Sequence, residues 1–213
     1  SVASSINGLS DALIENNSLW IGHNPSSTTS TTDGASYNVA LGLTALDAIE
    51  IGDNNVAIGH AALSANTSGS DNTAIGYGAL IVNRSDNNTA IGKSALYSNT
   101  LGGRNTAVGK ESLYSNSSGD FNTAIGTLSL KYNTGGESNT AVGDRALSTA
   151  SSLSYNVAIG AQALSGKSSG DPSTAVGYKA LTANSSGGGN TAIGYLSLSN
   201  NSTASHNTGI GNG

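Results

Sequence analysis

Apolar and polar positions alternate in a fixed cadence that repeats down the chain. The block Asn-Thr-Ala-Ile-Gly-x-x-Ala-Leu recurs, with first residues at Asn38, Asn55, Asn72, Asn88, Asn105, Asn122, Asn139, Asn156, Ser173, Asn190 and Asn207. Nine of the ten intervals are 17 residues; the remaining one, through Ile81-Val82-Asn83-Arg84-Ser85, is 16. The Thr-Ala-Ile triplet suits a very short strand, being β-favouring at two positions of three. Period-two alternation sets Thr or Val and Ile on one face, Asn and Ala on the other. The fifth position is glycine in every copy: Gly42, Gly59, Gly76, Gly92, Gly109, Gly126, Gly143, Gly160, Gly177, Gly194 and Gly211. These glycines predict a sharp bend with positive φ. The next two positions vary freely, as an exposed corner does, and a small residue and leucine then return the chain inward. Asn, Ser and Gly close each unit with turn chemistry, as in Asn116-Ser117-Ser118-Gly119.

A unit of this kind cannot bury its apolar face alone, but stacked on its neighbours it can. The pattern predicts an all-β solenoid, a parallel β-roll of eleven 17-residue coils. At about 4.8 Å per rung, ten intervals span roughly 48 Å. A leucine-rich-type repeat with a helix in each unit needs at least about 20 residues and is set aside. The predicted core is the large apolar set: Ile58, Ile75, Ile91, Val108, Ile125, Val142, Ile159, Val176 and Ile193, with Leu63, Leu80, Leu96, Leu113, Leu130, Leu147, Leu164, Leu181 and Leu198. Asn38, Asn55, Asn72, Asn88, Asn105, Asn122, Asn139, Asn156, Asn190 and Asn207 are expected to form a ladder of amides along the stack. A second ladder is open to Asn66, Asn83, Asn99, Asn116, Asn133, Asn184 and Asn201.

Alanine is the third residue in ten of eleven copies: Ala40, Ala57, Ala74, Ala90, Ala107, Ala124, Ala141, Ala158, Ala175 and Ala192. A solvent-facing surface has no reason to keep so small a residue. Three apolar groups per coil are also a small return for ordering 17 residues. Together these points predict that several chains associate with their alanine faces turned inward, three around an axis being preferred.

Three segments follow: a junction at 1–16, a capping coil and Ser/Thr-rich loop at 17–37, and the repeat roll at 38–213. Ser18-Leu19-Trp20-Ile21-Gly22 is an atypical first copy, with Trp20 in the small position to cover an open end. Residues 1–15 carry Ile6, Leu9, Ala12 and Leu13, enough for one helical turn or a fibre junction. The chain stops mid-repeat, which suggests that more protein follows or that another element covers this end.

Composition narrows the chemistry. Eight basic against 13 acidic residues give a net charge of -5, so the basic footprint of a nucleic-acid binder is missing. There is no Cys, which excludes disulfides, thiolate metal sites and a cysteine nucleophile. No apolar run reaches the length of a membrane helix, and no signal peptide is visible. His23, His60 and His206 occupy different repeat positions and cannot share a metal. Asp53, Asp86, Asp120, Asp171 and Glu137 share one position, where stacked carboxylates could take Ca²⁺. Ser70, Gly103, Ser154 and Gly188 interrupt that column, so turn-forming Asp is preferred and no metal or other cofactor is expected. Nothing singles out a catalytic residue, and the charges are too dispersed for a polysaccharide-cleaving cluster. Tyr77, Tyr178 and Tyr195 share the first corner position, where tolerance of any residue is preferred over sugar contact. Asn-x-Ser/Thr sequons occur at Asn66, Asn83, Asn116 and Asn184, as chance allows in such a chain. A row of Thr73, Thr89, Thr106, Thr123, Thr140, Thr174, Thr191 and Thr208 brings ice-binding solenoids to mind, but the alternation places it on the Ile side, facing the core.

Asn38-Val39-Ala40-Leu41-Gly42, Asn55-Val56-Ala57-Ile58-Gly59 and Asn156-Val157-Ala158-Ile159-Gly160 resemble the head repeat of YadA-like trimeric adhesins. That family folds as a trimeric left-handed parallel β-roll. The longer unit here, with Ala-Leu after the bend, looks more like repeats of phage tail fibres and related virion appendages. The resemblance covers residues 17–213. It implies a non-catalytic fibre segment of a virion tail or appendage: a homotrimer that joins other virion or fibre proteins and supports attachment to a host receptor or glycan. The alternative it implies is an extracellular, cell-surface adhesin or filament. The unit is longer than the adhesin's and shows no coiled-coil stalk.

Overall fold

The computed structural model describes residues 12–15 (as backbone), 17–22, 34–170 and 172–213. Expectations for residues 1–11, for 23–33 of the Ser/Thr-rich loop, for His23 and for Asp171 lie outside these. Each Thr-Ala-Ile triplet is a three-residue strand, as expected, from β3 (Val39–Leu41) through β8 (Thr123–Ile125) to β13 (Thr208–Ile210). With β2 (Ser18–Ile21) they make a sheet of twelve parallel strands in sequence order, the spine of a β-solenoid of about eleven turns. The register never slips: Ala107 pairs Ala124 and Ala124 pairs Ala141. The 16-residue interval is absorbed in its loop, since Ala74 still pairs Ala90. Residues 12–15, read from sequence as part of a helical turn or junction, instead form strand β1 (Ala12–Glu15), antiparallel to β2. Trp20 lies in the alanine column against Ala40 and is 2% exposed, closing the first rung as its bulk suggested.

The two faces of the sheet are reversed from the sequence expectation. The alanines of the third position, from Ala40 to Ala192, are buried in this chain's own interior rather than on an inter-chain surface. The fourth-position residues Ile58, Ile75, Val108, Val142 and Val176 are only half-buried, and Ile91, Ile125, Ile159 and Ile193 are exposed at 37–41%. All nine therefore point outward and are not core. The reason is volume. A 17-residue coil flattens until its two walls nearly touch. From the far wall, Leu63 to Leu181 fill the gap completely, with Leu198 partly buried on the last full coil. Against leucine from one side, only alanine and asparagine fit from the other. At the eighth position Ser112 and Ser129 replace alanine and stay buried, because their hydroxyls donate to Gly109 and Gly126 carbonyls (3.0 and 2.9 Å).

The interior asparagines form the first predicted ladder, and the second only from Asn83 to Asn133; Asn66 and Asn201 bond within their own turns and Asn184 stands apart. In the first, from Asn38 to Asn139, each Oδ1 accepts the next asparagine's backbone N–H, as in Asn122 to Asn105 (2.9 Å) and Asn139 to Asn122 (3.0 Å), and Asn156 Oδ1 accepts that of Ser173 (2.9 Å). From Asn38 to Asn139 each Nδ2 donates across the coil to the closing carbonyl, as from Asn122 to Gly136 (2.7 Å). In the second ladder Asn99, Asn116 and Asn133 each donate to the asparagine one coil before, all at 2.8 Å. These side chains are fully buried, so the sequons at Asn66, Asn83, Asn116 and Asn184 offer no accessible acceptor in the folded rod.

The corners carry strain that sequence did not announce. Most coils hold three non-glycine residues in the left-handed region, for example Arg104, Glu111 and Leu113 at φ 56, 53 and 49°. Their backbone N–H groups bond the neighbouring coils: Glu111 to the Lys93 carbonyl (2.9 Å) and Leu113 to that of Ser129 (3.0 Å). One conformation is thus imposed rung after rung.

Lys167 interrupts the second ladder. It occupies an asparagine position, is fully buried, and sends Nζ into the next coil to the Ser173 Oγ (3.1 Å) and the Gly187 carbonyl (2.8 Å). In regular coils that carbonyl accepts an asparagine amide, as Gly119 does from Asn116 (2.9 Å). The lysine therefore stands in for the amide missing at Ser173, and both polar atoms of buried Asn184 are left without a partner. The paired substitution Lys167→Asn/Ser173→Asn restores asparagine at one position of each ladder and removes a buried ammonium. It is expected to raise stability by about 2 kcal/mol, read as a shift in the midpoint of chemical unfolding.

Candidate functional site: the outward sheet face and the aromatic corner

The reversal of faces creates the main surface feature. From β3 to β13 the outward residues form two straight columns, one of Thr or Val and one of Ile, Val or Leu, and none is charged. The columns are in register on every rung. At about 4.8 Å per rung the strip covers roughly 500 Å² of flat, mostly apolar surface, near the upper limit of what a monomeric protein leaves open. The threonine row expected to face the core therefore faces out. Free exchange of Thr and Val at this position was the legible signal, because such swaps are tolerated where the hydroxyl meets solvent rather than packed core.

One flank of the strip is acidic. Asp53, Asp86 and Asp120 each accept a backbone N–H of the preceding coil, from Ser36 (2.8 Å), Ser70 (2.8 Å) and Gly103 (2.6 Å). Ser70 and Ser154 do the same for Asp53 and Glu137 at 3.0 Å, so the column bonds coil to coil. Gly103 has no side chain to offer there and leaves a hollow of about 170 Å³ between Asp86 and Asp120, lined also by Ser85 and Arg104. Among the described residues no three His, Cys, Asp or Glu side chains gather as a metal would require.

The other flank is aromatic and cationic. His60 stacks on Tyr77 at 5.4 Å, and Lys93 covers the Tyr77 ring at 5.7 Å. Tyr97 stacks on Tyr114 at 5.1 Å, and Lys131 lies over Tyr114 at 5.9 Å and over Tyr132 at 5.1 Å. Lys131 also pairs with Glu111 at 3.0 Å. That contact holds the Glu111 carboxyl below its ordinary range and the Lys131 ammonium above its own. Tyr178 and Tyr195 repeat the stack farther along at 5.5 Å. Residues at one corner position on consecutive rungs lie about one rung apart, which brings Tyr77 against His60 and Tyr195 against Tyr178. His206 stands in another column and shares nothing with His60. Among the described residues no helix is long and apolar enough to cross a membrane. Comparison with family models, curated proteins and solved structures returns no match to this chain.

Proposed function

We propose that the chain is a stiff, non-catalytic structural segment of a phage tail fibre or similar virion appendage. In this reading it assembles as a parallel homotrimer, joins other virion or fibre proteins and supports attachment to a host surface. The observation that carries this reading is the outward Thr/Ile strip: long, flat, uncharged and in register over eleven rungs. Burying it against identical strips removes an apolar surface that water disfavours, and cyclic symmetry closes the contact. Sister chains meet through the Thr/Ile columns, because the alanines are occupied inside each coil. The resemblance to YadA-like head repeats supports three chains rather than two. A cell-surface adhesin or extracellular filament would use the same rod, and the gene's neighbours distinguish it from a virion.

A second reading is favoured by one observation. The outward column of eight threonines is a regular hydroxyl and methyl array of the kind an ice-binding face would present. Light scattering separates the two readings. The fibre reading expects three times the chain mass of 21.0 kDa and no thermal hysteresis. A monomer that depresses the freezing point of its solution would replace it with ice binding.

A further inference from the structure

We propose that the aromatic corner at Tyr77, Lys93, Tyr97, Lys110, Tyr114 and Lys131 is a docking surface for an anionic polysaccharide. The inference deepens the attachment reading, on which it rests, by naming the partner's chemistry. Successive rungs bring His60, Tyr77, Lys93 and Lys110 into one column and Tyr97, Tyr114 and Lys131 into the next. Glu111, in the column between them, links the two, lying 3.7 Å from Lys110 and 3.0 Å from Lys131. Three ammonium groups stand here against the single carboxylate of Glu111, in a chain whose net charge is -5.

What the rings present decides the ligand. An aromatic ring is electronegative on its face and electropositive at its edge. Here ring packs on ring, and Lys93 and Lys131 cap the remaining faces of Tyr77 and Tyr114. Solvent therefore meets ring edges, phenolic hydroxyls and ammonium groups, all of which favour an anion rich in hydroxyl acceptors. A single-stranded nucleic acid needs free ring faces on which bases can stack, and both faces of Tyr77 and of Tyr114 are covered. The corner lies beside the Thr/Ile strip rather than on it, and Tyr77, Lys93 and Lys110 are exposed on the single chain.

The test uses the full chain with polygalacturonate and dextran sulfate as polyanions, uncharged dextran as control, and a single-stranded oligonucleotide as competitor. Binding is measured by calorimetry at low and high salt, with the solution mass recorded alongside. The expected result is salt-sensitive binding of the polyanions and none of dextran. The Lys93→Gln/Lys110→Gln/Lys131→Gln variant should bind at least about tenfold more weakly, since it loses three counterion-releasing contacts. The Arg84→Gln/Arg104→Gln variant, altered away from this corner, should bind as the parent does. Failure of the parent to bind either polyanion overturns the proposal. So does equal binding by the triple variant, or tighter binding of the oligonucleotide through the same lysines. Trimeric mass without polyanion binding would sink this inference alone; a monomer that binds would sink the fibre reading and leave this one standing.

Discussion

Gly109→Ala is expected to cost the rod about 4 kcal/mol or more, which for a single added methyl group is exceptional. Two costs coincide. Gly109 has φ 134°, a conformation that glycine alone adopts readily. A Cβ there would also sit 2.6 Å from the carbonyl carbon and oxygen of Gly126 on the next rung. Neither neighbour can retreat, because Gly109 N–H is bonded to the Ile91 carbonyl and Gly126 N–H to that of Val108, both at 2.7 Å. Gly211→Ala is the internal control. Its φ of 130° is nearly the same, but nothing lies within 4 Å of the added atom. It should therefore show the conformational cost alone, about 1–3 kcal/mol. Because each coil contacts only its neighbours, the Gly109→Ala lesion should divide the melt into two blocks rather than lower one transition uniformly. Differential scanning calorimetry and hydrogen exchange would show the division.

Asn122→Ala should be nearly as damaging, at about 3–4 kcal/mol. The substitution deletes the acceptor for the Asn139 backbone N–H and one acceptor of its Nδ2, both at 3.0 Å, and a donor to the Gly136 carbonyl at 2.7 Å. The Asn139 side chain keeps a bond to the Leu153 carbonyl and Gly136 keeps one from Asn133, so the lasting orphan is a buried backbone N–H. Asn122→Asp separates the parts of this effect. It keeps the acceptor but sets a carboxylate against the Gly136 carbonyl, which raises that carboxyl's pKa in the fold above its unfolded value. Its stability deficit should therefore shrink as pH falls through the carboxylate range and grow as pH rises. Chemical unfolding at pH 4 and pH 7 would read this.

The architecture was legible because it is written eleven times. Spacing gave the coil length, glycine gave the bends, leucine gave the far wall, and asparagine gave the ladders. Alternation says which residues share a face but not which face is inside. Assigning the larger apolar residues inward holds for a wide core and fails for a coil this narrow, where alanine and a fully bonded asparagine are what fit. The constancy of alanine was the signal of a confined interior, and the exchange of Thr for Val was the signal of an outer face. The left-handed corners were hidden because Leu, Arg, Glu and Tyr hold most of them, with asparagine or glycine only at a few such as Asn54, Gly78 and Asn87. Stacking of Tyr97 on Tyr114 was visible only as two tyrosines 17 residues apart, which gains meaning once the rung spacing is known. The Lys167 break was marked in the second ladder, where Ala150 and Lys167 stand in asparagine positions.

The central claim is that the Thr/Ile strip, and not the alanine column, meets sister chains. The chain has no cysteine, so single cysteines report cleanly. Ile125→Cys, on the strip, should form interchain disulfides under mild oxidation and resist alkylation in the assembled protein. Ser118→Cys, on an exposed turn of the preceding coil, should alkylate rapidly and stay uncrosslinked. Alkylation of Ile125→Cys as fast as Ser118→Cys, with no crosslink at any concentration, would contradict the account.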